Sequence, residues 1–388
     1  MFRRSLQFAV LILCIAAACF TEIPRFLDRD FNKLVKKPPH SASEKAFDLH
    51  KQLTIIDLHA DSLLWGRDLL ERSQDGHVDI PRLADGNVTL QVFSLPTKTP
   101  RGLNIESNDD KTDSIYWLAI VDRWPPRTWN SLTERTLYQA RRLHDFARGS
   151  QGGFTVIETS ADLFSYLQRR QRNNRLTAGL LSIEGAHALD GKLDNLDVLY
   201  RAGYRMMSPS HFFDNDIGGS SAGVHKTGLT EKGRDWVRQM EAHHMIIDLA
   251  HASPQTIEDV LAIATRPVVV SHTGVKGTCN NNRNLTDDQI QAIASKGGLI
   301  GIAYWDIATC GTDARAIVKA MRYVSDRVGV EHVALGSDFD GAVTEPFDTT
   351  GLVQITDAML QAGYTDSDIR LIMGENALKF FQSNLPEK

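Results

Sequence analysis

Five residues in this chain stand where apolar runs stop, and all five are of types that bind metal. His59 and Asp61 close the stretch Ile56-Asp57-Leu58-His59-Ala60-Asp61. Two apart on an extended strand, they point the same way and can chelate one ion. Glu184 follows Leu180-Leu181-Ser182-Ile183, His251 follows Ile246-Ile247-Asp248-Leu249-Ala250, and His272 follows Val268-Val269-Val270-Ser271. A carboxylate at the end of a core strand needs a partner, and a metal is one of the few sufficient ones. Each histidine alone reads more readily as a hydrogen-bonded structural residue than as a ligand. Together the five suit two zinc-like ions sharing one carboxylate bridge, a set made for metal-assisted hydrolysis.

These residues work together only if the fold brings the strand ends to one place. Apolar runs at 54–58, 88–95, 155–157, 178–183, 204–207, 245–249, 267–270, 299–304 and 332–335 each end abruptly in polar residues, and a helix-like segment follows. Continuous hydrophobicity means that both faces are buried, as in a parallel sheet covered by helices. The helices have readable starts: Ser253 before Pro254, and a capping box from Thr286 to Gln289. Eight or nine such units predict an α/β fold, a (β/α)8 TIM-type barrel with loop insertions at its catalytic face. All strand C-termini then point to one face. The 388 residues fit such a barrel with insertions. No dinucleotide-binding or P-loop glycine motif is present. Residues 97–130 read as a long insertion over one barrel end, and the glycine-rich stretch 214–228 as a mobile loop beside it.

Composition narrows the class further. A net charge of −5 argues against nucleic acid as a partner. With 42% hydrophobic and 23% charged residues, the chain is an ordinary globular one. Arg3 and Arg4 precede an apolar stretch, residues 6–20, so residues 1–20 read as a signal peptide or an N-terminal membrane or lipoprotein anchor. Ala16, Ala17 and Ala18 before Cys19 make Cys19 a lipidation candidate. Residues 21–50 would be a linker and lead-in helix, and 51–385 the hydrolase barrel. The expected location is the cell envelope or periplasm, with membrane contact only through the N-terminal segment. The polar residues 383–388 predict no GPI-type tail.

In order along residues 54–341, Ile56-Asp57-Leu58-His59-Ala60-Asp61, Leu181-Ser182-Ile183-Glu184-Gly185, Ser210-His211, Ile247-Asp248-Leu249-Ala250-His251, Ser271-His272, Arg283-Asn284 and Gly336-Ser337-Asp338-Phe339-Asp340-Gly341 resemble the membrane dipeptidase (renal dipeptidase) family, peptidase family M19. The resemblance implies a dipeptidase with two zinc ions per chain. His59 and Asp61 would hold one, His251 and His272 the other, and Glu184 would bridge them. His211 would bind the substrate carbonyl or its oxyanion, Arg283 would clasp the substrate carboxylate, and Asp338 would shuttle the proton. Asp340 is an alternative acid for that last task. His187 lies near the site but has no ligand role in the family pattern. The family also implies a homodimer, tolerance of a D-residue on the C-terminal side and action on some β-lactams.

The glycine-rich loop after His211 and residues 97–150 depart from the best-known mammalian members, which leaves specificity open. With Cys14 and Cys19 in the export segment, Cys279 and Cys310 are expected to pair in an oxidising compartment, as the mammalian relatives also suggest. Two other readings are weighed. One is another binuclear-metal amide hydrolase on this barrel, a deacylase or lactamase, against which Arg283 argues. The other is a zinc-binding envelope lipoprotein without catalysis, expected to lack Asp338 or a ligand.

Overall fold

The computed structural model describes residues 22–387. The expected signal or anchor, with Cys19, lies outside them. Eight parallel strands form a ring: β1 Ile55–Ala60, β2 Val88–Phe93, β3 Thr177–Ile183, β4 Tyr204–Met207, β5 Ile246–Ile247, β6 Val269–Thr273, β7 Leu299–Ile302 and β8 Val333–Leu335. Their order is β5-β4-β3-β2-β1-β8-β7-β6, and a parallel bridge from Asp248 to Val269 closes the ring. This is the closed (β/α)8 barrel that the apolar runs predict. β1, β2 and β3 are buried along their whole length, as strands covered on both faces must be.

The ninth run behaves differently. Residues Phe154–Val156 pair with the first residues of β3 and stand off the ring. The 245–249 run contributes only two residues of regular strand, and beyond them Asp248 and Leu249 keep single bonds to the neighbouring strands, Asp248 N–H to Met207 O at 3.0 Å and Leu249 N–H to Val269 O at 2.7 Å. Both helix starts match expectation: Ser253 caps Pro254–Ile263, and Thr286 with Gln289 forms the capping box of Asp287–Ser295.

The two insertions meet over the strand ends. Asn108 donates its backbone N–H to Ala222 at 2.8 Å and its side-chain amide to Phe212 O at 3.2 Å. The 214–228 loop is pinned, contrary to the mobility expected of it. Asp214 accepts from the amides of Ser220 (2.8 Å) and His225 (2.7 Å). Its glycines serve close packing instead of freedom: a Cβ on Gly219 would meet Thr227 O at 2.1 Å, and one on Gly223 would meet Asp214 Oδ1 at 2.0 Å.

Ahead of the barrel, residues 22–31 are helical. Lys33–Leu34 then pairs in parallel with Thr344–Glu345, and a helix spans Glu44–His50.

Candidate metal centre

Each site residue sits at the mouth of a barrel strand. His59 lies in β1 with Asp61 just beyond, Glu184 follows β3, His211 follows β4, His251 follows β5, His272 lies in β6 and Asp338 follows β8. Arg283 is on the loop after β6. All eight are buried.

Glu184 is the centre of the group. Its Oε1 lies 2.9 Å from His251 Nε2, 3.3 Å from His272 Nε2 and 3.8 Å from His59 Nε2. Its Oε2 lies 3.2 Å from His211 Nε2. His59 Nε2 is 3.7 Å from Asp61 Oδ2 and 3.6 Å from Asp338 Oδ1. The structure thus brings together all five expected ligands, with His211 and Asp338 among them. Three sets have atoms close enough to surround a cation: His59, Glu184 and His272; Glu184, His211 and His251; His59, Asp61 and Asp338.

The orphaned atoms test whether a metal fits. His59 Nε2, Asp61 Oδ1 and Glu184 Oε1 are buried without a hydrogen-bond partner, and the Nε2 atoms of His251 and His272 face each other at 3.0 Å. Buried polar atoms rarely go unpaired, and lone pairs converging without a donor suit divalent cations. The field agrees. Burial alone would lower His59, but Glu184, Asp61 and Asp338 push its imidazole up to about 10, so positive charge is favoured there. His211, His251 and His272 are held well below the ordinary histidine range, by burial first and then by nearby cationic groups, which leaves neutral imidazoles. Burial raises Glu184 well above the usual carboxylate range and Asp338 to about 8, with His59 opposing both.

The residues that aim the ligands carried no assigned role in the sequence. Ser271 Oγ donates to Asp248 Oδ2 at 2.5 Å and lies 2.9 Å from His272 Nδ1 and 3.3 Å from His59 Nδ1. With its proton given to Asp248, the hydroxyl accepts from both rings. Each imidazole then carries its proton on Nδ1 and presents a lone pair on Nε2. Asp57 Oδ1 accepts from the amides of His59 (3.1 Å) and Ser337 (2.9 Å), tying β1 to β8. All three lie inside the quoted motifs, where their polarity amid apolar neighbours was the available signal.

Arg283 donates to His272 O at 2.9 Å, its Nε is free of partners, and its guanidinium lies 5.8 Å from the Trp305 ring centroid. The Cys279–Cys310 disulfide is present, with Cα atoms 5.3 Å apart. Asn284 reinforces it by donating to Cys279 O (2.7 Å) and Ala308 O (2.9 Å). Asp340, the alternative acid, is turned away from the metal cluster. The chain after β8 is not extended: Asp338 and Asp340 both have left-handed backbone (φ 68° and 65°), so their side chains diverge. Asp340 takes Ser62 Oγ and an ion pair with Arg67 instead. His187 packs 4.8 Å from the Phe213 ring and joins no candidate cluster among the described residues.

Comparison with known proteins places this geometry. Residues 43–385 match the family model described as membrane dipeptidase (peptidase family M19). An uncharacterised protein from Klebsiella pneumoniae, in the pqqA 5′ region, is 31% identical over 250 residues, 60% of this chain and 90% of that one. Dipeptidase verJ of Clonostachys rogersoniana is 27% identical over 330 residues, 80% of this chain and 83% of its own. A metallo-peptidase from Rhodobacter sphaeroides, solved with a phosphinate mimic of the dipeptide L-Ala-D-Ala, superimposes with a TM-score of 0.70 at 24% identity, over 86% of this chain and 99% of that one.

Proposed function

The chain belongs to the membrane dipeptidase family, peptidase family M19, and is a metal-dependent dipeptidase; from that premise we propose that it uses two zinc ions and cleaves the single peptide bond of dipeptides bearing a free C-terminal carboxylate. The supporting observation is the convergence of four imidazoles on Glu184, with Asp61 and Asp338 beside His59, in a buried cluster short of hydrogen-bond partners. In this reading His59 and Asp61 would hold one ion, His251 and His272 the other, and Glu184 would serve both. Divalent ions bound there would lower the pKa of water toward neutrality and polarise a carbonyl.

The chain's own residues do the rest. The Arg283 guanidinium, with its free Nε, takes the substrate carboxylate through its planar fork. His211, kept neutral by burial, donates from Nε2 to the oxyanion that develops on the scissile carbonyl. Asp338 takes the proton of the attacking water on its carboxylate and passes it to the leaving amine. A D-residue on the C-terminal side and some β-lactam amides fall within the proposed range. The Rhodobacter relative's ligand mimics an L-Ala-D-Ala dipeptide, which supports testing D-residues first. Export to the cell envelope through residues 1–20 belongs to the same proposal, and fractionation of cells expressing the full chain checks it.

A panel of L,L- and L,D-dipeptides, assayed before and after chelation and again with zinc restored, tests the reading. Activity should vanish on chelation and return with zinc. Activity surviving complete metal removal would overturn it.

A further inference from the structure

Between the N-terminal segment and the loop that carries Asp338 runs a buried series of polar contacts that the mechanism above does not use. Asp28, in the helical stretch 22–31, is buried, and its Oδ2 lies 2.6 Å from Arg67 Nε. The other side of the same guanidinium places Nη2 2.6 Å from Asp340 Oδ2. Asn32 donates to Asp28 Oδ1 at 2.7 Å and accepts from the Ala342 amide at 3.0 Å. His77 lies 3.2 Å from Lys33 O through Nε2 and accepts from the Asp340 amide at 2.8 Å through Nδ1. Lys33–Leu34 then continues alongside Thr344–Glu345. Residues 28–34 therefore grip residues 340–345 from one end to the other.

The gripped segment needs holding. Asp338, Asp340 and Ala342 all have positive φ (68°, 65° and 60°). Non-glycine residues stay in that region only when their surroundings over-determine it. Beyond β8 the pairing thins to an isolated bridge between Ala60 and Phe339, with Asp61 N–H donating to Phe339 O at 2.8 Å, and Asp338 itself takes no part in it. Gly341 N–H donates to Asp338 O at 3.0 Å, so the turn at 338–341 sets where the Asp338 carboxylate points. Asp340 anchors that turn, and Arg67 anchors Asp340. Arg67 has competing carboxylates nearby: it opens onto a cavity of about 660 Å³ that Asp68, Glu71 and Asp122 also line. Both Asp122 oxygens lack partners. Arg67 Nη1 donates to Val78 O at 2.9 Å, so Asp28 on Nε is the one carboxylate besides Asp340 that aims the guanidinium.

We propose that Asp28 is a positioning residue for catalysis: through Arg67 and Asp340 it fixes the turn that aims the Asp338 carboxylate at the metal cluster. The N-terminal strap is then a working part of the site. The inference rests on the reading of Asp338 as proton carrier, so its test has one readout that does not depend on activity.

Asp28→Asn removes the charge at nearly constant shape, and Asn32→Ala removes only the lateral hydrogen bonds, a milder change for use should Asp28→Asn fail to fold. Amide exchange in residues 336–345 should quicken about tenfold in either variant, with the other strand ends unchanged. In Asp28→Asn kcat should fall about tenfold to a hundredfold, the scale of a small misplacement of a reacting group. KM and bound zinc should stay within about twofold of wild type, because residues 28–34 make no direct contact with Arg283 or the candidate ligands. Unchanged exchange at 336–345 would overturn the clamp. Faster exchange with unchanged kcat would reduce the strap to a structural tie, and a parallel rise in KM with loss of zinc would show a general collapse of the site. Wild-type protein inactive on every dipeptide would instead sink the functional reading, which the exchange measurement does not touch.

Discussion

At the scale of single residues, the site is organised by charges that cannot satisfy one another. Four imidazoles are buried around Glu184, Asp61 and Asp338 stand beside His59, and the Nε2 atoms of His251 and His272 face each other. His251→Ala and Glu184→Ala should each abolish turnover and leave fewer than two zinc ions per chain, since each removes a donor from the cluster. Two full equivalents of zinc in both variants, measured by elemental analysis, would rule out this ligand set. Ser271→Ala keeps every ligand but releases the Nδ1 atoms of His59 and His272. Its zinc affinity should drop about ten- to a hundredfold in a chelator competition. Arg283→Lys keeps a charge but loses the fork, so dipeptides should lose about 1–3 kcal/mol in kcat/KM. Dipeptide amides, already poor substrates, should change little. An equal loss for both would remove the carboxylate clamp from the account.

At the scale of elements, the barrel strands supply direction and the loops supply position. The β6–β7 crossing illustrates this. Arg283 lies on the loop after β6, and the Cys279–Cys310 bridge with Asn284 ties that loop to the turn after β7. The bridge spans 31 residues, worth on the order of 3–4 kcal/mol in the chain-entropy model. Mild reduction should therefore raise KM for dipeptides before it unfolds the barrel, because the clamp loosens while the strand ends stay in the ring. Kinetics and circular dichroism followed together through a reductant titration check this. Simultaneous loss of both signals would mean that the bridge holds the fold and not the clamp.

At the scale of the whole molecule, one anchor of the segment before the barrel is a group that must stay neutral. His50 ends the helix Glu44–His50. Its Nδ1 is 2.9 Å from Thr356 Oγ1, and its Nε2 is 3.2 Å from Gly86 O. Burial lowers it to about 4, against 6.5 for a free histidine, with the Gly86 carbonyl only partly opposing. Between those values the unfolded chain binds a proton that the folded chain refuses, so this residue's contribution falls as pH falls. Against His50→Gln, which does not titrate, the wild-type protein should lose about 2 kcal/mol of relative stability between pH 7 and pH 5. Urea unfolding of both proteins at the two pH values measures it. A constant or widening wild-type advantage would contradict the neutral burial of His50.

The sequence by itself determined the barrel and singled out the candidate ligands. Both are written in local patterns: buried strands leave unbroken apolar runs, and the ends of those runs carry His59, Asp61, Glu184, His251 and His272 without help from distant residues. The tertiary structure decided everything that depends on which strand ends become neighbours. It set Ser271 of β6 between His272 and His59 of β1, some two hundred residues apart in the chain. It moved the 155–157 run off the ring and held the 214–228 loop through Asp214. It also separated Asp338 from Asp340, because the chain beyond β8 leaves the two-residue repeat of a strand for left-handed turns. A periodicity argument reaches only as far as regular backbone extends. Beyond the strand ends, conformation is set by long-range ion pairs and hydrogen bonds, such as those of Asp28 with Arg67 and Asn32 with Ala342, which no local pattern records.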